Sequence, residues 1–326
     1  MRLVRYAVAL LILASALKAQ APKRFLWHNP GDVSKVDLGG SVGTGIPAPK
    51  PPFTFIKEDA AGSWPKVLVK DAAGRTWNVK FGFEVKPECF AWRLPVAVGY
   101  FVEPSYYVAS GQIQGMSPMK RATKSVQSDG HFRDARFQIR DSSYKYLDHL
   151  TWKWAGNPFA GTSQLKGLEI LIMLASNWDN KDGTSGSGNS NTGIFERLVN
   201  GRRQWLYSFT DWGSGMGFWG DKTGQSNWVC QDYAKQTSDF VKGVTNGRVV
   251  FGYDGHHNDD FKTNIRPFDV AWLMKYLGQI TDDQLRAALR ATGATPDEET
   301  CFTKAIRGRI EQLRAVSKQG QRGSGT

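Results

Sequence analysis

Apolar and polar residues alternate over three short runs in the first third of the chain. The runs cover residues 53–56, 65–70 and 76–81, and turn sequences containing Gly62 and Gly74 separate them. Alternation with a period of two residues is typical of strands that are buried on one face, and tight turns join antiparallel neighbours. The pattern therefore predicts a small antiparallel β-sheet.

Helical periodicity follows this sheet. Pro87 suits the first turn of a helix, and Phe90, Leu94 and Val98 then recur on one face. In the second half of the chain a strand is predicted at 204–210. It stands among helical patterns that cover residues 165–177, 229–242, 267–278, 281–292 and 297–316. We expect an α+β fold in which a small β-rich part precedes a mainly helical part.

The first 21 residues have the features of a secretory signal peptide. Arg2 and Arg5 precede an apolar run at 6–16 that is too short to span a bilayer, and Ala19-Gln20-Ala21 has the small-x-small form of a cleavage site. An uncleaved N-terminal membrane anchor is the alternative. No later stretch is long and apolar enough to span a membrane. We therefore expect a secreted or periplasmic protein without a transmembrane segment after signal cleavage.

These patterns divide the chain into six segments. Residues 22–52 are rich in Gly, Pro and Lys, and residues 116–150 are polar and basic. The predicted segments are a signal peptide (1–21), a flexible lead-in (22–52), a β-rich N-lobe (53–115), a basic connector (116–150), a helical C-lobe (151–317) and a disordered tail (318–326).

Composition adds a basic surplus to this picture. The 326 residues include 42 Lys and Arg against 30 Asp and Glu, a formal net charge of +12. The leader holds three basic residues and no acid, so the mature chain carries +9. The surplus favours an acidic partner such as nucleotide phosphates, nucleic acid, anionic lipid or acidic glycan. The basic residues form no organised nucleic-acid site, and an aromatic content of 12% argues against intrinsic disorder.

The three cysteines do not indicate a zinc or thioredoxin-like site, because the chain has no C-x-x-C sequence. Cys89 lies in an apolar helical pattern, where a small core residue is expected. A disulfide between Cys230 and Cys301 is compatible with an oxidising compartment, although the spacing does not require it.

Ionisable residues stand at the ends of the apolar elements in an informative order. Lys80 lies on a predicted strand and Glu88 in the first turn of the next helix. Asp179 and Lys181 follow an apolar helix, and Asp211 ends a strand. Phosphoryl transfer from ATP needs a Lys–Glu pair for the phosphates, an Asp beside the acceptor hydroxyl and an Asp that holds metal. These groups must converge in a cleft between a β lobe and a helical lobe.

With this order, the chain resembles the protein-kinase-like superfamily, especially its HipA-type, phosphatidylinositol-kinase and secretory-pathway branches. The sequence Gly62-Ser63-Trp64-Pro65-Lys66 is similar to the Gly-x-Gln-Pro-Lys turn of HipA-type proteins, with Trp64 in place of Gln. Asp179-Asn180-Lys181 resembles the Asp-Leu-Lys of the kinase catalytic loop, and Asp211-Trp212-Gly213 resembles the Asp-Phe-Gly metal motif. Residues 53–103 and 157–213 also resemble a family of secreted bacterial proteins of this type.

The resemblance implies a two-lobed kinase-like fold that binds ATP with Mg²⁺ or Mn²⁺. It assigns catalytic roles to Asp179 as base and to Lys181, which offsets developing charge. The residues implied to bind nucleotide are Lys80, Glu88, Gly62, Ser63 and Lys66, and those implied to bind metal are Asn191 and Asp211.

The catalytic loop departs from the kinase pattern. The residue five positions after Asp179 is Thr184, where kinases have the metal-binding Asn. Residues 183–188 look like an insertion, so the metal role is assigned to Asn191, with Asn189 as the alternative. Glu84 is likewise a rival to Glu88 as the partner of Lys80.

We therefore expect a secreted ATP-dependent phosphotransferase that acts on an unknown protein, glycan or lipid acceptor. A nucleotidyltransferase on the same fold and a non-catalytic kinase-fold binding or scaffold protein are the alternatives. Residues 254–260 (Asp-Gly-His-His-Asn-Asp-Asp) are interpreted as a polar surface loop rather than a metal site, because adjacent histidines rarely converge on one ion.

Overall fold

The described part of the chain contains both strands and helices, which confirms the predicted α+β content. The computed structural model describes residues 21–60, 62–140, 145–185, 190–220, 224–257 and 262–322. Residues 1–20 of the predicted leader, the alternative metal ligand Asn189 and residues 258–260 lie outside these ranges.

The strands are β1 (Lys23–Phe25), β2 (Phe53–Asp59), β3 (Lys66–Lys70), β4 (Thr76–Phe81), β5 (Ser105–Gln114), β6 (His131–Ile139), β7 (Lys145–Tyr146), β8 (Thr192–Val199), β9 (Arg202–Phe209), β10 (Val241–Thr245) and β11 (Arg248–Phe251). The helices are α1 (Val85–Ala91), α2 (Arg93–Ala97), α3 (Ser163–Leu174), α4 (Cys230–Lys235), α5 (Pro267–Leu277), α6 (Asp282–Arg290) and α7 (Pro296–Arg322), with short 3₁₀ turns at Val33–Lys35, Ala122–Lys124 and Gly183–Ser185.

A closed five-stranded barrel forms the β-rich part, with the strand order β2-β3-β4-β6-β5. The antiparallel pairing of β2, β3 and β4 is the one that the alternation predicts. The barrel closes through a short parallel pairing that the sequence did not indicate, in which Phe53 and Thr54 lie beside Ile113 and Gln114. Apolar side chains of alternate positions fill the interior, so the polar positions between them lie on the outer face.

The predicted basic connector is wrong over residues 131–139, because they form β6 inside the barrel. Ala135, Phe137 and Ile139 are buried in the barrel core, whereas Arg136 lies between them on the outer face. Arg136, one of the basic residues that suggested a connector, therefore occupies an outward position of an alternating strand.

The predicted flexible lead-in is also wrong. Within residues 22–52, β1 pairs in parallel with β9, and Leu26, Val33, Leu38 and Val42 are buried in the main core. Two polar side chains hold this segment. Arg93 Nη1 donates to two of its carbonyl groups, and Gln284 Nε2 donates to two others. The glycines and prolines shape turns here, and the scattered apolar residues between them provide the anchoring.

The second part of the chain contains more strand than the sequence predicted. A four-stranded sheet has the order β1-β9-β8-β7, and β10 pairs with β11 in a separate hairpin. Helix α3, most of whose side chains are buried, packs against α5, which in turn packs against α7, and a disulfide between Cys230 and Cys301 joins α4 to α7. Helix α7 continues to Arg322, so the predicted disordered tail begins inside a helix. Within the described ranges, no helix combines the length and apolar character needed to cross a membrane.

Candidate active site

Lys80 is the centre of a buried cluster of charges on the outer face of the barrel. Its cross-strand neighbours are Lys66 on β3 and Arg136 on β6. Its ammonium group lies 2.5 Å from Glu84 Oε2 and 3.0 Å from Glu88 Oε2. The Arg136 guanidinium lies 3.2 Å from the other oxygen of Glu88. Two cations and two carboxylates thus share one buried site, and each carboxylate has a cationic partner.

The short link between β4 and α1 brings the two glutamates to Lys80. Gly82 has a φ of +113°, and the indole ring of Trp64 packs so closely against it that a Cβ atom would lie 2.5 Å from the ring. Only glycine suits this conformation and this approach. Glu84 lies at the start of α1 and Glu88 one turn later, so both side chains face the strand.

The electrostatics connect this cluster to Asp211, which follows β9. Burial opposes a charge on Lys80, but the carboxylates of Glu88, Asp211 and Glu84 outweigh it and raise the pKa of Lys80 above its ordinary value. Burial also acts to raise the pKa of Asp211, yet Lys80 and the Gly213 amide keep that pKa below its usual range. Asp211 therefore stays ionised although it is partly buried.

The pKa of Glu84 is shifted in the opposite direction, upward. Burial raises its pKa, the Lys80 ammonium opposes this effect, and the nearby Asp211 carboxylate adds to it. Glu84 is therefore more easily neutralised than Asp211, whose pKa is lowered.

The loop that follows α3 is tied to the same region through hydrogen bonds. Asn177 Nδ2 donates to the Asp211 carbonyl oxygen at 2.9 Å, and Asn177 Oδ1 accepts the Asp179 amide at 3.1 Å. Asn191 Nδ2 donates to the Asp179 carbonyl oxygen at 2.6 Å. Lys181 Nζ lies 3.0 Å from Asp179 Oδ2 and also lowers the pKa of Asp211. The predicted residues Asp179, Lys181, Asn191 and Asp211 therefore lie together.

Asn191 and Asp211 offer side-chain oxygen atoms of the kind that a small divalent cation prefers. The Thr210 amide donates to the Asn191 carbonyl oxygen at 2.8 Å, which places Asn191 beside the end of β9. Because the amide nitrogen of Asn191 is used on Asp179, its Oδ1 remains for a ligand. Among the described residues, no group of three or more His, Cys, Asp or Glu side chains forms a metal cage. Mg²⁺ needs only one or two protein oxygens when nucleotide phosphates supply others, so this pair fits it.

Thr184 does not take the position of the kinase Asn. Its hydroxyl and amide both bond to Asp182 Oδ1 within its own turn. Asp182 Oδ2 accepts the Trp154 amide at 2.8 Å, so the start of the predicted insertion is fixed to the body of the protein. Thr184 is therefore a structural residue of the loop.

The predicted nucleotide turn joins β2 to β3. Gly62 and Ser63 are exposed there, and Lys66 Nζ lies beside Gly62 and 3.8 Å from Asp59. Burial lowers the pKa of Lys66; Asp59 opposes this effect, and the cations Arg136 and Lys80 add to it. Lys66 thus belongs to the same cationic face, whereas Gly62 and Ser63 lie on the exposed part of the turn.

Two residues of the site escaped the sequence analysis. Arg136 was assigned to a connector, although its alternation with buried residues could have placed it on a strand. His257 was assigned to a surface loop, yet its Nε2 lies 3.2 Å from Asp179 Oδ1. No local pattern in the sequence indicates that contact.

Comparison with known proteins gives little further guidance. No protein-family model matches the sequence, and no curated protein matches it. Among solved structures, the chain is similar to the crystal structure of the Golgi casein kinase, with a TM-score of 0.36 and 9% sequence identity over 89% of this chain and 79% of that chain. Similarity at this level does not establish a common fold, so the function has to be argued from the geometry of the site.

Proposed function

We propose that this protein is a kinase-like phosphotransferase that uses ATP together with Mg²⁺ or Mn²⁺. In this proposal the barrel with α1 is the N-lobe of a two-lobed kinase-like fold and the helical part is the C-lobe. The observation that carries it is the buried Lys80–Glu88 ion pair at 3.0 Å, which acts electrostatically on Asp211. Lys181 acts on Asp211 in turn and contacts Asp179.

The proposed reaction uses each of these groups once. Lys80 and Lys66 neutralise the phosphates of ATP, and Glu88 holds Lys80 in place. The oxygen of the acceptor hydroxyl bonds to the γ-phosphorus while the bond from that phosphorus to the oxygen of ADP breaks, and Asp179 accepts the hydroxyl proton. Lys181 offsets the negative charge on the transferred group. A divalent cation held by Asp211 and Asn191 would supply further charge neutralisation at the phosphates.

We also propose that the protein works outside the cytoplasm, in a secreted or periplasmic state. The leader-like sequence at 1–21 supports this proposal, and so does the disulfide between Cys230 and Cys301, because such bonds persist in oxidising compartments. The acceptor is a protein, glycan or lipid that carries a hydroxyl group.

A nucleotide titration followed by a transfer assay tests the proposal. ATP with Mg²⁺ or Mn²⁺ at 100 times its dissociation constant should stabilise the fold by about 2.7 kcal/mol in a thermal-shift experiment. Label from γ-labelled ATP should pass to the protein itself or to an extract of periplasmic protein. Asp179→Asn should abolish the transfer and keep the thermal shift. Asp148→Asn, which alters a carboxylate that is 89% exposed, is the matched control and should change neither.

Three outcomes would redirect the proposal. Absence of a thermal shift with every metal would contradict nucleotide binding. Transfer of label from α-labelled ATP would indicate a nucleotidyltransferase instead. Binding without any transfer would favour the non-catalytic alternative.

A further inference from the structure

The loop that follows β11 is docked onto the loop that carries Asp179. The Tyr253 hydroxyl donates to the Asn177 carbonyl oxygen at 2.5 Å, and the His256 amide donates to the Trp178 carbonyl oxygen at 2.8 Å. The His257 amide donates to Asn180 Oδ1 at 3.1 Å. These bonds hold residues 253–257 in one position relative to residues 177–180.

Gly255 makes this close docking feasible. A Cβ atom at this position would lie 2.5 Å from the amide nitrogen of Asn180, and Asn180 itself is fully buried. Any larger residue would push the two loops apart. The position of His257 next to Asp179 therefore follows from several independent contacts of the backbone.

The two oxygens of the Asp179 carboxylate face different partners. Oδ2 lies 3.0 Å from Lys181 Nζ, and Oδ1 lies 3.2 Å from His257 Nε2. Oδ1 accepts no hydrogen bond from the described residues at the angles seen here. Catalytic hydrogen bonds are often poorly aligned without substrate and tighten when it binds. A small rotation of the imidazole would align its N–H with Oδ1.

The two separate contacts of Asp179 matter because, in the proposed reaction, Lys181 also offsets the charge on the transferred phosphoryl group. When the lysine moves toward the transferred phosphoryl group, Asp179 loses its contact on Oδ2. The 3.2 Å contact with His257 is then the remaining side-chain contact that we identify for this carboxylate among the described residues. A misplacement of a catalytic group by about 1 Å lowers the rate about 100-fold, so orientation at this stage decides the rate.

We infer that His257 is a positioning residue, which holds the Asp179 carboxylate toward the acceptor hydroxyl while Lys181 serves the phosphoryl group. The inference rests on the proposed phosphotransferase function. His256 stacks on the His257 ring, with ring centroids 4.3 Å apart, but it is assigned no contact with Asp179. It therefore provides a matched control.

The test compares His257→Ala, His257→Gln and His256→Ala with the wild type in the γ-labelled ATP assay. His257→Ala should lower kcat by about 10- to 100-fold and leave KM for ATP within about twofold, because only the orientation of the base changes. His257→Gln, whose side-chain amide can donate to Oδ1, should recover part of the loss. Added imidazole should do the same for His257→Ala. His256→Ala should keep the wild-type kcat.

The outcomes separate this inference from the proposed function. Equal kcat values for His257→Ala and the wild type would overturn the positioning role and leave the phosphotransferase proposal intact. An inactive wild type would contradict the phosphotransferase proposal. In that case a crystal structure of the protein still tests the contact, because His257 Nε2 should lie near 3.2 Å from Asp179 Oδ1. A separation too long for a hydrogen bond would overturn the contact itself.

Discussion

Glu84 Oε2 lies 2.5 Å from Lys80 Nζ, which is nearer than the Glu88 carboxylate at 3.0 Å. The two glutamates differ in their other contacts. Glu88 also faces Arg136 at 3.2 Å, whereas Asp211 adds a repulsive charge near Glu84. Glu88 is thus the constant partner of both cations. Glu84 contacts Lys80 at a position that the phosphates of a bound nucleotide could take instead.

This difference predicts opposite effects for two similar substitutions. Glu84→Gln should bind ATP as tightly as the wild type or more tightly, because the carboxylate no longer competes with the phosphates for Lys80. Glu88→Gln should weaken ATP binding at least tenfold. It should also destabilise the fold by about 3–5 kcal/mol, since it leaves Lys80 and Arg136 buried without their shared anion. Isothermal titration calorimetry and urea unfolding measure both effects. Equal loss of affinity in the two variants would contradict the assignment.

The buried Glu169 carboxyl group of α3 predicts an unusual dependence of stability on pH. Glu169 is almost fully buried, and its carboxylate lies 2.8 Å from Lys166 Nζ. Burial raises the pKa of Glu169 from 4.5 to about 8; Lys166 opposes this effect and Asp269 adds to it. Between these two values the folded protein holds a proton that the unfolded chain has released. Stability contributed by this group should therefore fall as the pH rises from about 4.5 to 8, by a few kcal/mol.

The substitution Glu169→Gln should remove this slope. Urea unfolding at a series of pH values should show that the variant gains stability over the wild type as the pH rises toward 8. Glu311→Gln, at a carboxylate that is 52% exposed, is the control and should keep the wild-type slope. Parallel curves for Glu169→Gln and the wild type would show that Glu169 titrates normally.

The sequence predicted those elements of the fold whose residue pattern and pairing partners lie close together along the chain. Strands β2, β3 and β4 follow one another through tight turns, so their alternation was sufficient. Strand β6 was missed because its outward positions carry basic residues such as Arg136, and its place depends on pairing with β4 and β5. Strand pairing between distant segments leaves no local signal.

The residues of the candidate site likewise include some that the sequence predicted and some that it did not. Lys80 and Glu88 are eight positions apart on a strand and the next helix, so spacing predicted their contact. The residues around Asp179 were proposed from the order of motifs, and the structure brings them together. His257 reaches Asp179 only because one loop docks on another, and its neighbouring histidine made a surface loop the more natural interpretation.

The N-terminal segment offers the clearest contrast between expectation and structure. Leu38 is 1% exposed and packs in the main core, and its carbonyl oxygen accepts a hydrogen bond from the buried Arg93 at 2.7 Å. Lys35, three residues earlier, has a side chain that is 82% exposed. Because the segment is part of the folded core, Leu38→Ala should lower the free energy of unfolding by about 2–5 kcal/mol. Lys35→Ala should change it by less than about 0.5 kcal/mol. Urea unfolding of both variants decides the matter, because a flexible lead-in would make the two substitutions equally neutral.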